Sequence, residues 1–155
     1  MIYLVYPGLG KTFLAKKDGG FCDINVRKFK DADFDNYTSS YRGTKIKNIN
    51  PDFPNNLQSY LLDKIKSNII ILMAFKKATI QLLEEMKLDY EIVLPDESKL
   101  EELKDIYKQR GDSDEYIEQN TTHRYKETLF LARQSGKVIR FVAKGLWLED
   151  VIMEK

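Results

Sequence analysis

The sequence predicts an α/β fold: three layers, α/β/α, around a central, mostly parallel sheet of five strands. Two observations carry this expectation. Short apolar runs alternate with helix-period segments, and parallel strands need crossover connections of that kind. The most apolar run, Ile69-Ile70-Ile71-Leu72-Met73-Ala74, shows no polar alternation, as a strand buried on both faces should. The length of 155 residues adds a third constraint. It suits one domain, 1–155, since a domain takes roughly 100–200 residues.

The elements follow in order. Residues 2–6, apolar and aromatic, form a first strand that Pro7 ends. Gly8-Leu9-Gly10 is a turn, residues 11–17 a short helix closed by Gly19-Gly20, and residues 21–26 a second strand. Residues 28–53 are polar, aromatic and without a period; at that length the segment reads as a functional insert or a partly mobile stretch. A helix over 54–66 puts Leu57, Tyr60, Leu61 and Ile65 on one face, with Pro54 in an early position. The strand over 68–75 is followed by a helix over 77–87 and a strand over 90–94 that ends at Pro95. Amphipathic helices over 97–109 and 114–134 flank Arg110-Gly111-Asp112, and 97–134 is the candidate helical lid. A strand over 138–143 and a helix over 146–153 complete the pattern. Cys22 is expected to be a small buried hydrophobe, and Trp147, with Leu146 and Leu148, a core contact of the last helix.

Composition narrows the chemistry. Lys and Arg number 25 against 24 Asp and Glu, a net charge of +1. That argues against binding nucleic acid by bulk electrostatics and leaves room only for a local basic stripe. One Cys excludes an internal disulfide, and one His excludes a two-His metal site. No run reaches the 18 or so apolar residues of a transmembrane helix, and the start lacks a signal peptide's basic region, so a cytoplasmic protein is expected.

The strongest motif is Val5-Tyr6-Pro7-Gly8-Leu9-Gly10-Lys11-Thr12. Gly10-Lys11-Thr12 completes the pattern G-x-x-x-x-G-K-[ST] between a strand and a helix, although Val5 stands at its first glycine. Glycines there let backbone amides approach phosphate oxygens without a Cβ clash. The helix start adds its positive dipole end. Lys11 would reach the β- and γ-phosphates and Thr12 would offer its hydroxyl to Mg²⁺. The predicted donor site is therefore Pro7, Gly8, Leu9, Gly10, Lys11, Thr12 and Phe13, with ATP and Mg²⁺ as the cofactors.

Pro-Gly-x-Gly-Lys-Thr after a short N-terminal strand resembles the P-loop kinases of the nucleoside-monophosphate-kinase type. The order of further motifs is similar to small phage-encoded kinase-like proteins: Phe21-Cys22-Asp23-Ile24-Asn25, Phe53-Pro54-Asn55-Asn56, Ile92-Val93-Leu94-Pro95-Asp96 and Tyr107-Lys108-Gln109-Arg110-Gly111. The resemblance implies transfer of a γ-phosphoryl group from ATP to a nucleoside or deoxynucleoside monophosphate, or a similarly small acceptor. It implies that Asp23 faces the acceptor or, with Thr12, the metal, at the strand ends where open α/β sheets place ligands. It implies that Arg110 is a lid arginine clamping phosphates, with Arg124 joining it if the helices fold over the cleft. The chain departs from the family pattern at Asn25, Val26 and Arg27, where a second acid and serines are usual. It departs again at Met73-Ala74-Phe75, which lacks a terminal carboxylate.

Other candidates stay open on the sequence alone. Arg27 and Lys28 either bind acceptor phosphate or are solvated. Lys104 and Lys108 either belong to the lid or pair with glutamates such as Glu101. Phe34, Tyr37, Tyr41 and Phe53 either stack on a base or pack the insert. His123 has no nucleophile beside it. A nucleotide-binding protein without turnover is one alternative function. A polynucleotide-end kinase with Lys28, Arg42, Lys45 and Lys47 along its groove is another.

Overall fold

β1 (Ile2–Val5) lies in the middle of a five-stranded sheet of order β2-β3-β1-β4-β5. The computed structural model describes residues 1–37, 41 and 44–153; Arg42 of the proposed basic groove lies outside them. β2 (Phe21–Ile24), β3 (Ile70–Ala74), β4 (Glu91–Pro95) and β5 (Ile139–Val142) are all parallel to their neighbours. The sheet is thus wholly rather than mostly parallel. Val5 sits opposite Ala74 of β3 and Val93 of β4. All four residues of β1 are buried, which is why its run shows no alternation.

The connections decide where a ligand could sit. From β1 the chain passes through α1 (Lys11–Lys17) to β2, two places to one side. It returns through α2 (Val26–Lys30) and α3 (Asn55–Lys66) to β3, then crosses β1 through α4 (Lys77–Glu85) to β4. Crossovers of parallel strands are right-handed, so α1 and α4 cover opposite faces. The carboxyl end of β1, where the connections diverge, is the crevice that ligands favour in such sheets. β4 leads through α5 (Leu100–Gln109), α6 (Asp114–Thr121) and α7 (His123–Gln134) to β5 and the last helix, α8 (Leu148–Ile152). α8 packs beside α1, with Lys17 Nζ 2.7 Å from Glu149 Oε1. No helix among the described residues is long and apolar enough to cross a membrane.

Several boundaries differ from expectation for identifiable reasons. β2 stops at Ile24 because the Asn25 side chain accepts from the Arg27 amide (3.1 Å) and caps α2. The insert is therefore not structureless. Its ends are tied by backbone bonds from Ala32 to the Asn48 carbonyl (2.9 Å) and from Asn50 to the Lys30 carbonyl (2.8 Å). The helix expected over 114–134 is two helices. Thr121 and Thr122 hydroxyls bond back to the carbonyls of Ile117 (2.7 Å) and Glu118 (2.6 Å), and Thr122 leaves the helical region at φ −130, ψ −95. Back-bonding threonines compete with the helix ladder and bend it. Trp147 is 42% exposed rather than a core residue, and Cys22 is half-buried, with Sγ 3.7 Å from the Tyr60 hydroxyl.

The core continues from the sheet into the candidate lid. Leu4, Leu72, Ile92 and Val93 are fully buried, and so are Leu103 and Tyr107 of α5. The Tyr107 hydroxyl donates to the Pro7 carbonyl and the Tyr125 hydroxyl to the Pro95 carbonyl, each at 2.7 Å. Residues 97–134 are thus fastened to the ends of β1 and β4.

Candidate functional site

The loop after β1 takes its shape from two glycines with positive φ, Gly8 at +89 and Gly10 at +103. Side chains rarely adopt such backbone angles. Gly8 also has no room for one. A Cβ there would lie 2.9 Å from the Tyr107 ring and 3.1 Å from Leu103. On the other side the Leu148 amide donates to the Leu9 carbonyl (3.1 Å), and the Trp147 indole would be 3.9 Å from a Cβ at Gly10. Among the described residues, no acceptor takes the amide hydrogens of Gly8, Leu9 or Gly10. Successive amides left without a protein acceptor on a turn with positive-φ glycines are groups of the kind that bind anions.

Beside this loop three predicted residues meet. The Thr12 hydroxyl donates to Asp23 Oδ2 at 2.8 Å, and Lys11 Nζ lies 3.9 Å from Asp23 Oδ1. The Lys11 and Asp23 side chains are 20% and 22% exposed, so solvent or a ligand can reach the pair. Asp23 stands opposite Leu72 in the β2–β3 register. β3 itself ends in Met73-Ala74 with no carboxylate of its own. Asp23, from the edge strand β2, is the acid that reaches the Lys-Thr dipeptide.

Arg110 and Arg124 stand a layer further out. Arg110 caps the end of α5, with Nε 3.2 Å from Asp112 Oδ2 and its guanidinium 5.4 Å from the centre of the Tyr107 ring. It is linked to the loop through Tyr107. Arg124 is exposed on α7, close enough for its charge to act on the Tyr6 hydroxyl at the end of β1. Burial pushes that hydroxyl's pKa far up, with Tyr116 adding to the shift and Arg124 opposing it. It donates to the Asn120 carbonyl at 2.7 Å. Phe13 points away from any packing and is 69% exposed.

Arg27 and the residues of the insert resolve differently from the phosphate-binding alternative. Arg27 has five N–H donors, and all are engaged inside the protein. Nε donates to Asp31 (3.1 Å). Nη1 donates to the carbonyls of Thr44 (2.7 Å) and Tyr41 (3.5 Å), and Nη2 to the hydroxyls of Tyr37 (3.1 Å) and Thr44 (3.0 Å). Its guanidinium also lies 4.9 Å from the Tyr41 ring and 5.5 Å from the Tyr37 ring. Phe34, Tyr37 and Tyr41 pack on one another around it, so these aromatics hold the insert together. The hydroxyl of Tyr37, the backbone and Arg27 hold the Asp31 carboxyl below its ordinary range, and Tyr37 and Asp31 in turn raise Arg27. Lys28, Lys45 and Lys47 are exposed. Lys104 pairs with Glu101 at 2.9 Å, and His123 with Glu127 at 2.9 Å.

Two residues that sequence reasoning passed over support the site. Tyr107 enters the sequence reading only within Tyr107-Lys108-Gln109-Arg110-Gly111; the i, i+4 spacing of Leu103 and Tyr107 is the signal that would place it facing inward. Lys99 is fully buried, bonding the Leu146 carbonyl, 3.1 Å from Glu102 Oε1 and 4.0 Å from the centre of the Trp147 ring. Glu102 also accepts from the Gly145 amide (2.9 Å), which together with Lys99 lowers its pKa. Nothing in the sequence distinguishes Lys99 from surface lysines nearby.

No protein-family model and no curated protein matches this sequence. What the fold and site define is an α/β protein with a five-stranded, all-parallel sheet. At the carboxyl end of its central strand it carries a glycine loop followed by Lys11 and Thr12, with Asp23 bonded to the threonine.

Proposed function

We propose that the chain is an ATP-dependent phosphotransferase of the P-loop type, acting on a nucleoside or deoxynucleoside monophosphate or a similar small acceptor. One observation supports this above the others: Lys11, Thr12 and Asp23 converge beside three consecutive loop amides from which no group among the described residues accepts. Phosphoryl transfer asks the protein mainly to position reactants and neutralise charge. The amides of residues 8–10 and Lys11 would hold the donor phosphates. The acceptor oxygen forms a bond to the γ-phosphorus as the bond to the bridging oxygen breaks, and any proton it carries passes to Asp23. Arg110 and Arg124 would turn inward to neutralise charge on the transferring group.

Thr12 and Asp23 fit Mg²⁺ as hard oxygen donors 2.8 Å apart. Magnesium is usually held by one or two carboxylates together with substrate phosphates and water. No group of three or more acidic, His or Cys side chains among the described residues forms an independent metal cage, so the ion would arrive with the nucleotide. When bound it supplies charge neutralisation on the donor phosphates.

The experiment is a transfer assay with γ-labelled MgATP and a panel of nucleoside monophosphates. Labelled diphosphate should appear with wild type and vanish with Lys11→Ala, whose circular dichroism should match wild type. Equal transfer by Lys11→Ala would overturn the assignment. A second reading, a nucleotide-binding protein without turnover, is favoured by the apolar end of β3 and by Asn25 where a second acid is expected. Tight MgATP binding with no ADP formed across the panel would select it.

A further inference from the structure

We infer that Tyr107 is a positioning residue for the donor phosphates, aiming the Gly8 amide by holding the Pro7 carbonyl. The inference rests on the P-loop reading above and deepens it. The Pro7–Gly8 peptide is trans, the described chain's cis bond being Phe53–Pro54. In a trans peptide the carbonyl and the following N–H point in opposite directions. The Tyr107 hydroxyl takes the Pro7 carbonyl at 2.7 Å, so the Gly8 N–H is turned away from α5.

The ring does the second half of the work. It lies against Gly8, where a Cβ would be 2.9 Å from its Cε1, so α5 packs directly on the peptide that the hydroxyl holds. The phenol itself is immobilised: fully buried, edge-on to Tyr116 with ring centres 5.4 Å apart, and covered by Arg110. Burial raises its pKa strongly, so it remains a donor throughout the neutral range. α5 is anchored at its start. Ser98 accepts from the Lys144 amide (3.0 Å), Glu102 from the Gly145 amide (2.9 Å), and Lys99 holds the Leu146 carbonyl. One helix therefore fixes the loop directly at Pro7 and Gly8. It also fixes the turn that bonds Leu9 through Leu148.

Tyr107→Phe keeps the ring and removes only the donor. Binding of inorganic tripolyphosphate and of MgATP is measured by calorimetry, well below the unfolding temperature. Losing one hydrogen bond's worth of orientation should weaken both by roughly 3- to 10-fold, while a merely structural tyrosine would lower the melting temperature and leave both affinities unchanged. In wild type, the Gly8 amide resonance should move on adding tripolyphosphate. Folded Tyr107→Phe with wild-type tripolyphosphate affinity would overturn the inference. So would a wild-type Gly8 amide that stays put while tripolyphosphate binds, a measurement that decides even if the variant fails to fold. Absence of wild-type binding to both ligands would instead remove the P-loop reading, and this inference with it.

Discussion

Asp23 touches both polar members of the Lys-Thr pair, and its two contacts imply opposite effects of removing its charge. With Asp23→Asn, metal-assisted transfer should fall by a factor on the order of 100 or more, since an amide is a poor magnesium ligand and no base. Metal-free tripolyphosphate should bind at least as tightly as to wild type, because the carboxylate 3.9 Å from Lys11 competes with an anion for that cation. Calorimetry with and without Mg²⁺ separates the two effects; weaker binding under both conditions would contradict this account. Arg27 is a different kind of residue. Arg27→Met leaves the Asp31 carboxylate, buried at 2% exposure, without its cation, and the urea midpoint should drop while metal-free tripolyphosphate binding persists. The same carboxylate makes stability pH-dependent. Asp31 and Glu102 have folded pKa values below their ordinary ones. Their contribution is complete above the unfolded values near 4 and is lost as pH falls through the lowered folded values. Urea midpoints should therefore be flat from pH 7 to 5 and decline below about 4.

At the scale of elements, α1 is short and leans on one fully enclosed residue, Leu14. Leu14→Ala should destabilise by about 2–5 kcal/mol, measured by denaturant unfolding. Gly8→Ala combines a positive φ with contact against Tyr107 and should cost about 1–3 kcal/mol. The central strands were legible because burial on both faces leaves an unmistakable run, as at 69–74. The Lys-Thr end of the loop was legible because its chemistry is written in consecutive residues. What was not legible depends on competition or on distance along the chain. Asn25 ends β2 with a side-chain cap, and Thr121 and Thr122 break a helix that periodicity alone would continue. In each case side-chain hydrogen bonds to the backbone outweigh a pattern. The carbonyls that Tyr107 and Lys99 bond lie 100 and 47 residues away, and no local spacing encodes those two contacts. Arg27 looked equally suited to phosphate or solvent because its acceptors arrive from the insert, whose path the sequence leaves undetermined.

For the whole molecule, the consequential point is that residues 97–134 share a core with the sheet. Leu103, Tyr107 and Tyr125 are buried among strand residues, and two tyrosine hydroxyls end on strand-end carbonyls. Secondary structure followed by far-ultraviolet dichroism and tertiary packing followed by the tyrosine near-ultraviolet signal should then melt in one coincident transition. A separate early transition in α5–α7 would indicate a lid that folds on its own. The balanced charge of +1 fits a site where a few placed cations act locally, with Lys11 at its centre.

Trp147 is the only tryptophan in the chain, and its half-exposed indole sits beside Gly10 with the Lys99 ammonium 4.0 Å from its ring centre. The protein therefore carries a built-in optical probe at the loop. Emission intensity and wavelength should respond when an anion settles there, because the local field and solvent access around a single fluorophore both change. Titrations and stopped-flow rates of ligand entry become accessible on unlabelled protein, with no other indole contributing background.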